Sequence, residues 1–284
     1  MMRRNQLGGR CPSPWALVAA AWICGACGGG DGPAGDPAGA SVLPLLETAC
    51  VDSGDADACE QAAFGYFERD DARARDYFGR ACDTSHVASC VMALAMVMDG
   101  LGGRKDLARA RELATVACEA QDAVGCFALG TMLANGEGGP ADGPRGRRLL
   151  IGSCRAGVFE ACVTAGVLLA HGEGGKPDLS GARRLFAAAC DGSVAEGCFA
   201  LGELVADGRG GPADAARARE HYLYGCRLGD ARACLALGRM WVRGDGGARS
   251  AKNGAIYLKM VCESGIPAGC EELEALEDAT GERS

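Results

Sequence analysis

Six cysteines stand at a constant interval of 36 residues, at Cys82, Cys118, Cys154, Cys190, Cys226 and Cys262. Each has a companion eight residues later, at Cys90, Cys126, Cys162, Cys198, Cys234 and Cys270, and a further pair, Cys50 and Cys59, precedes them at a spacing of nine. A period of this length marks stacked supersecondary units, each touching its neighbours, and not one globular core. Architecture is thereby strongly constrained, whereas a repetitive scaffold says little about ligand.

One unit, Cys154 to Cys190, shows the internal plan. Small and apolar residues at helical spacing follow the second cysteine (Val163, Ala165, Gly166, Leu169, Ala170), and then come Gly172 and a Gly-Gly pair. This is helix A, and Gly172 falls where a left-handed C-cap belongs, as do Gly100, Gly136, Gly208 and Gly244 in sister units. A short polar residue recurs after the loop, at Asp106, Asp142, Asp178, Asp214 and Ser250, as capping of free amides requires. Helix B follows, with Leu185 and Phe186 on one face, and ends near the next cysteine.

Two helices joined by a glycine turn cannot bury their own apolar stripe, so copies must stack. The expected fold is all-α, a right-handed α-solenoid of disulfide-stapled αα-hairpins. Aromatics are only 5% of residues while glycine numbers 45, so small residues, Leu and cystine must carry the core. Gly130, Gly166, Gly202 and Gly238 fall mid-way along helix A, where each costs about 0.5–1 kcal/mol against Ala. Four at one offset point to close backbone contact between helices A and B.

Residues eight apart in one straight helix lie roughly 12 Å apart, whereas disulfide geometry needs Cα atoms about 4.4–6.8 Å apart. The chain must turn between paired cysteines, and Gly157, Gly192, Gly229 and Gly265 lie there to allow it. Each bridge then ties the end of one helix B to the start of the next helix A. Zinc, the competing use of paired thiols, needs four convergent ligands, usually in closer pairs; here a whole hairpin separates successive pairs. Disulfides are expected, with no metal and no cofactor.

The N-terminus reads as an export signal. Arg3, Arg4 and Arg10 precede a short apolar run, Trp15 to Ile23, too short to span a bilayer. Ile23-Cys24-Gly25-Ala26-Cys27 then resembles a bacterial lipobox, although Cys24 stands where Leu is usual; an ordinary signal peptide with an incidental Cys27 is the alternative. The resemblance implies cleavage before Cys27, lipidation there and stable anchoring by two or more acyl chains. Export also places the thiols in an oxidising compartment. The expected division is a leader over 1–26, a Gly/Pro-rich tether over 27–40, repeats over 41–279 and a tail over 280–284. Formal charge is −8, and losing the three leader arginines makes the mature chain −11. An acidic chain without basic clusters repels phosphate backbones, which argues against nucleic acid as a partner.

The ALG triads (Ala128-Leu129-Gly130, Ala200-Leu201-Gly202, Ala236-Leu237-Gly238), the glycine loops Gly136–Pro140 and Gly208–Pro212, the Asp caps and the seven cysteine pairs resemble the Sel-1-like repeat family. The likeness is greatest to its cysteine-rich exported branch, the Helicobacter cysteine-rich proteins. The first unit departs from the pattern by its cysteine spacing and by a shortened interhelical loop, and the last is a helix A with an acidic end.

The resemblance implies an envelope-anchored adaptor that binds a peptide, an envelope protein or a cell-wall fragment on a concave face made by successive A helices. Carrying tetratricopeptide-like geometry over selects an apolar row, Val91, Phe127, Val163, Phe199 and Leu235, which is otherwise inter-repeat core. It also selects a row of variable charge, Asp99, Asn135, His171, Asp207 and Arg243, otherwise a solvated helix end. The second function implied is β-lactam binding or hydrolysis. The residues lend it little: no serine has Lys three positions on, no Gly-x-Ser-x-Gly elbow occurs, and the three histidines (His86, His171, His221) lie in different units. A secreted structural or signalling role is a third reading, which the sequence does not separate from the first.

Overall fold

A computed structural model of the chain describes residues 39–67 and 69–281. The leader, Cys27 and most of the tether lie outside the described residues. Among those described, fourteen α-helices occur and no strand. The described residues divide into two compact units, the first ending at Ala141 and the second starting at Asp142.

The first unit contains α1 (Gly39–Ser53), α2 (Ala56–Tyr66), α3 (Asp71–Asp83), α4 (Val87–Asp99), α5 (Leu107–Glu119) and α6 (Ala123–Asn135). The second contains α7 (Gly143–Arg155), α8 (Phe159–His171), α9 (Leu179–Asp191), α10 (Ala195–Ala206), α11 (Ala215–Arg227), α12 (Ala231–Arg243), α13 (Ala251–Glu263) and α14 (Pro267–Thr280). Even-numbered helices are the A helices of the repeat, α14 being the last, and odd-numbered helices from α3 are the B helices. Within each unit every helix packs on the next, and successive A helices also touch, α4 with α6, α8 with α10 and α10 with α12. Two boundaries move slightly from expectation: α1 begins at Gly39, inside the expected tether, and α14 runs to Thr280. α1 is a B-type helix without an A helix of its own in front of it among the described residues, and carries Cys50.

The caps sit at the expected residues. Asp106, Asp142, Asp178, Asp214 and Ser250 each accept the backbone N–H three residues on, at 2.8–3.2 Å. Gly100, Gly136, Gly172 and Gly244 close their helices at φ between 72° and 85°. In α10 the closing residue is Asp207, and the left-handed position follows at Gly208.

All seven cysteine pairs are bridged in the structure, with Cα atoms 4.3–4.7 Å apart. The left-handed residue that turns the chain lies three positions after the first cysteine of each eight-residue pair. Gly157, Gly229 and Gly265 fill it as expected, but Ser85, Gln121 and Ser193 fill it elsewhere. Gly192 is therefore not the turning residue of its pair; its φ is −77°. It faces the Phe159 ring, which a Cβ at residue 192 would approach to 2.1 Å.

The mid-helix glycines also differ in detail from expectation. Their partner is a side chain of the next B helix more than its backbone. A Cβ at Gly166 would meet the Phe186 ring at 2.6 Å, one at Gly202 the Tyr222 ring at 2.6 Å, and one at Gly238 the Leu258 side chain at 3.0 Å. Each glycine thus forgoes helix propensity so that one large side chain can approach the A helix closely, and these side chains add bulk to an aromatic-poor core.

A second ladder, unread in the sequence, joins neighbouring repeats. Arg75, Arg111, Arg147 and Arg183 recur at the same period of 36 and donate to backbone carbonyls of the next interhelical loop. The acceptors are Arg104, Pro140, Lys176 and Pro212, at 2.8–3.1 Å. The fifth arginine, Arg219, instead lies over the Trp241 ring at 3.2 Å from its centroid.

Candidate ligand groove

In the second unit the A helices leave a groove between α10 and α12 of about 570 Å³. Phe199 and Tyr222 form part of its floor, with ring centroids 6.0 Å apart. Glu203 of α10 and Asp207, the residue that closes that helix, make an acidic wall. Arg239 and Arg243, one helical turn apart on α12, make a basic one. A smaller cleft of about 210 Å³ continues from it between α8 and α10, sharing Phe199, Glu203 and Arg232 and reaching Val163 and His171.

The charges differ in how far they are already satisfied. Arg232 lies over the Phe199 ring at 4.7 Å and pairs with Asp230 at 2.7 Å and Glu196 at 3.7 Å. Arg239 is held in a forked pair with Glu272. Among the described residues Glu203 and Arg243 make no hydrogen bond or ion pair, so both are available to a ligand. Burial, helped by the charge of Asp207, raises the Glu203 carboxyl above the usual carboxylate range, against the pull of Arg232 and Arg209. Burial likewise pushes the Tyr222 hydroxyl up, with Glu203 and Asp207 adding to it. A free carboxylate and a free guanidinium across an aromatic floor suit a chain segment carrying both charges and an apolar side chain.

Six of the ten residues expected to line a groove are brought together here: Val163, Phe199 and Leu235 from the apolar row, and His171, Asp207 and Arg243 from the variable row. The apolar row splits. Phe127 and Val163 are only 8% and 7% exposed and act chiefly as core, whereas Phe199 and Leu235 are half-buried and open to the groove. In the first unit Val91 is half-buried, Asp99 partly exposed, and Asn135 donates to Glu137 at 3.0 Å. Glu203 and Arg239 were not singled out from the sequence. They occupy the row one helical turn before the variable row, Ala95, Thr131, Val167, Glu203 and Arg239, and the same variation against a constant scaffold marks them.

One serine–histidine pair bears on hydrolysis. Ser89 Oγ lies 2.9 Å from Nδ1 of His86, whose Nε2 is 3.8 Å from Asp57. The arrangement copies the residue types of a triad, but Ser89 is 0% exposed and no substrate carbonyl reaches its oxygen. Among the described residues no group of three or more His, Cys, Asp or Glu side chains is placed to hold a metal, and no helix is long and apolar enough to cross a membrane.

The Sel1 repeat family matches residues 58–86, 88–122, 123–158, 160–194 and 195–230. Among solved structures, a protective antigen present in uropathogenic Escherichia coli strains, with an SLR fold, aligns at TM-score 0.77 and 22% identity. That match covers 84% of this chain and 52% of that one, so this chain spans about half the length of that relative. A Sel1 repeat protein from Oxalobacter formigenes aligns at TM-score 0.62 and 20% identity, covering 84% of this chain and 87% of that one. Helicobacter pylori cysteine rich protein B is 26% identical over 46% of this chain and 93% of its own, with TM-score 0.38. No curated protein matches the chain.

Proposed function

The chain belongs to the Sel1 repeat family, and from that premise we propose that it is an exported, lipid-anchored scaffold binding a peptide or a segment of an envelope protein through the α10–α12 groove. The observation that carries the reading is the pairing of an unengaged carboxylate, Glu203, with an unengaged guanidinium, Arg243, across the half-buried Phe199 ring. Scaffolds of this repeat type serve protein–protein contacts, and specificity then resides in side chains that vary while the repeat stays constant.

Export is supported by seven bridged cysteine pairs, which form and persist in oxidising compartments. Anchoring through Cys27 rests on the basic leader, the short apolar run and the small residues before that cysteine. A peptide-display selection on the mature chain, counter-selected on an Asp207→Ala/Arg243→Ala variant, tests the groove. Enriched peptides should carry charged residues flanking an apolar one and should be lost on the variant. Enrichment that is indifferent to the two substitutions would place binding elsewhere.

A further inference from the structure

The helix-B side of the repeat carries a cleft that neither the groove nor the family likeness explains. It occurs in both units in the same register, three periods apart. In the first unit it lies between α3 and α5 and measures about 290 Å³; in the second it lies between α9 and α11 and measures about 360 Å³.

The two copies differ in charge. The first contains three arginines and pairs two of them with acids, Arg80 with Asp76 at 2.8 Å and Arg109 with Asp83 at 2.9 Å, while Arg75 donates to the neutral Arg104 carbonyl. In the second, Arg184 replaces Asp76 and His221 replaces Leu113, while Arg183 and Arg217 are retained. Asp191, the counterpart of Asp83, does not line the cleft. No acid lines it, although the protein as a whole is acidic. Arg183 spends one N–H on the neutral Pro212 carbonyl at 3.1 Å. Arg217 has only its own capping residue, Asp214, at 3.4 Å and largely in solvent. Arg184 makes no ion pair among the described residues, although its charge adds to the Gly181 N–H and the Ser180 hydroxyl in holding the Asp178 carboxyl below the usual carboxylate range. Ser180, at the rim, gives its hydroxyl proton to Asp178 at 2.9 Å.

We infer that this cleft binds an oxyanion, the phosphate or sulfate group of a ligand, with Arg184 and Arg217 supplying fixed charge and His221 a proton-dependent donor. Planar guanidinium groups suit such oxygens through paired N–H bonds, and the half-buried His221 lies beside the two exposed arginines. The apolar wall comes from Leu201 and Val205 of α10, which leaves room for the uncharged body of a small ligand. The site is independent of the peptide groove, and either can fail alone.

His221 makes the inference measurable. Burial is the main cause holding its imidazole below the ordinary histidine range. Arg183 of α9 and Arg217 of its own helix push the same way, opposed by Glu220 of that helix and Asp191 of α9. An oxyanion in the cleft reverses the arginines' effect and favours the imidazolium. Binding therefore takes up a proton, and affinity rises as pH falls through the histidine range until the unliganded imidazole is itself protonated.

The test is a proton NMR titration of the three histidines of the full mature chain, with sodium sulfate against sodium chloride at equal ionic strength. Sulfate should raise the His221 pKa by about half a unit to one unit, corresponding to roughly three- to tenfold tighter binding to the protonated form. His86 and His171 should respond to neither salt differently. Arg184→Asp, which restores the acid of the first cleft, should abolish the sulfate response with the circular dichroism spectrum unchanged. His221→Leu should leave weak binding that no longer depends on pH in this range. Glucose 6-phosphate should displace sulfate if the source is a soluble ligand, and vesicles rich in phosphatidylglycerol if it is a headgroup. A His221 response equal in the two salts, an equal response of all three histidines, an undiminished one in Arg184→Asp, or displacement by neither phosphate source would overturn the inference.

Discussion

The Phe186 ring packs against α8 at Gly166, so closely that a Cβ at residue 166 would stand 2.6 Å from it. In an open helix, Gly→Ala stabilises by about 0.5–1 kcal/mol through backbone entropy. Here the sign should reverse, because overpacking of a filled core costs about 1–3 kcal/mol. Gly166→Ala should lower the thermal midpoint, and Gly166→Ala combined with Phe186→Leu should recover much of the loss. A neutral or stabilising single substitution would show that the ring has freedom to move away.

The residue that turns the chain between paired cysteines supplies a prediction of the opposite sign. Gln121 and Ser193 sit at φ of 64° and 63°, where a side chain crowds its own carbonyl at a cost of about 1–2 kcal/mol. Gln121→Gly should therefore stabilise, by roughly 0.5–1 kcal/mol once the extra freedom of the unfolded chain is deducted. Ser193→Gly should gain less, since the Ser193 hydroxyl also bonds the Tyr224 hydroxyl at 2.9 Å. Urea denaturation of the two variants gives both values and their order.

Peptide mapping without reductant should recover every bridge within its own pair, from Cys50–Cys59 to Cys262–Cys270. Closing a nine-residue loop is worth about 2.6 kcal/mol in the chain-entropy model. Serine replacement of both members of one central pair, Cys154 and Cys162, should thus lower stability by roughly that amount. Bridges found between different repeats would refute the pairing.

Processing at Cys27 gives a cellular test. Cys27→Ala should abolish incorporation of labelled fatty acid and leave an unprocessed leader. Labelling that persists would place the lipid on another residue.

The parts of this fold that were legible in the sequence are those fixed by one residue's own chemistry. Asp142 caps α7 and Asp214 caps α11 because a short carboxylate reaches amides no other group satisfies. The cysteine register needed only the period. The rest depended on pairs of residues far apart in sequence. Gly192 looked like a turning glycine beside Gly157 and Gly229, but the Phe159 ring is what requires it. The arginine ladder went unread because arginine is common on helix surfaces, and only the partner carbonyls 29 residues on reveal its purpose. The groove shows the same dependence: Phe127 and Phe199 share one register, yet one is core and the other floor, because packing around them differs.

The most direct measurement of the central claim is the affinity of a displayed peptide for the mature chain bearing groove or opposite-face substitutions, by isothermal calorimetry. Glu203→Gln and Arg243→Ala should each weaken binding by about 1–2 kcal/mol, as loss of one charge-assisted contact does. Arg227→Ala, on the B helix α11 and outside the groove lining, should leave it unchanged. Unaltered affinity in both groove variants, with loss in Arg227→Ala, would contradict the account and make the helix-B face the working surface.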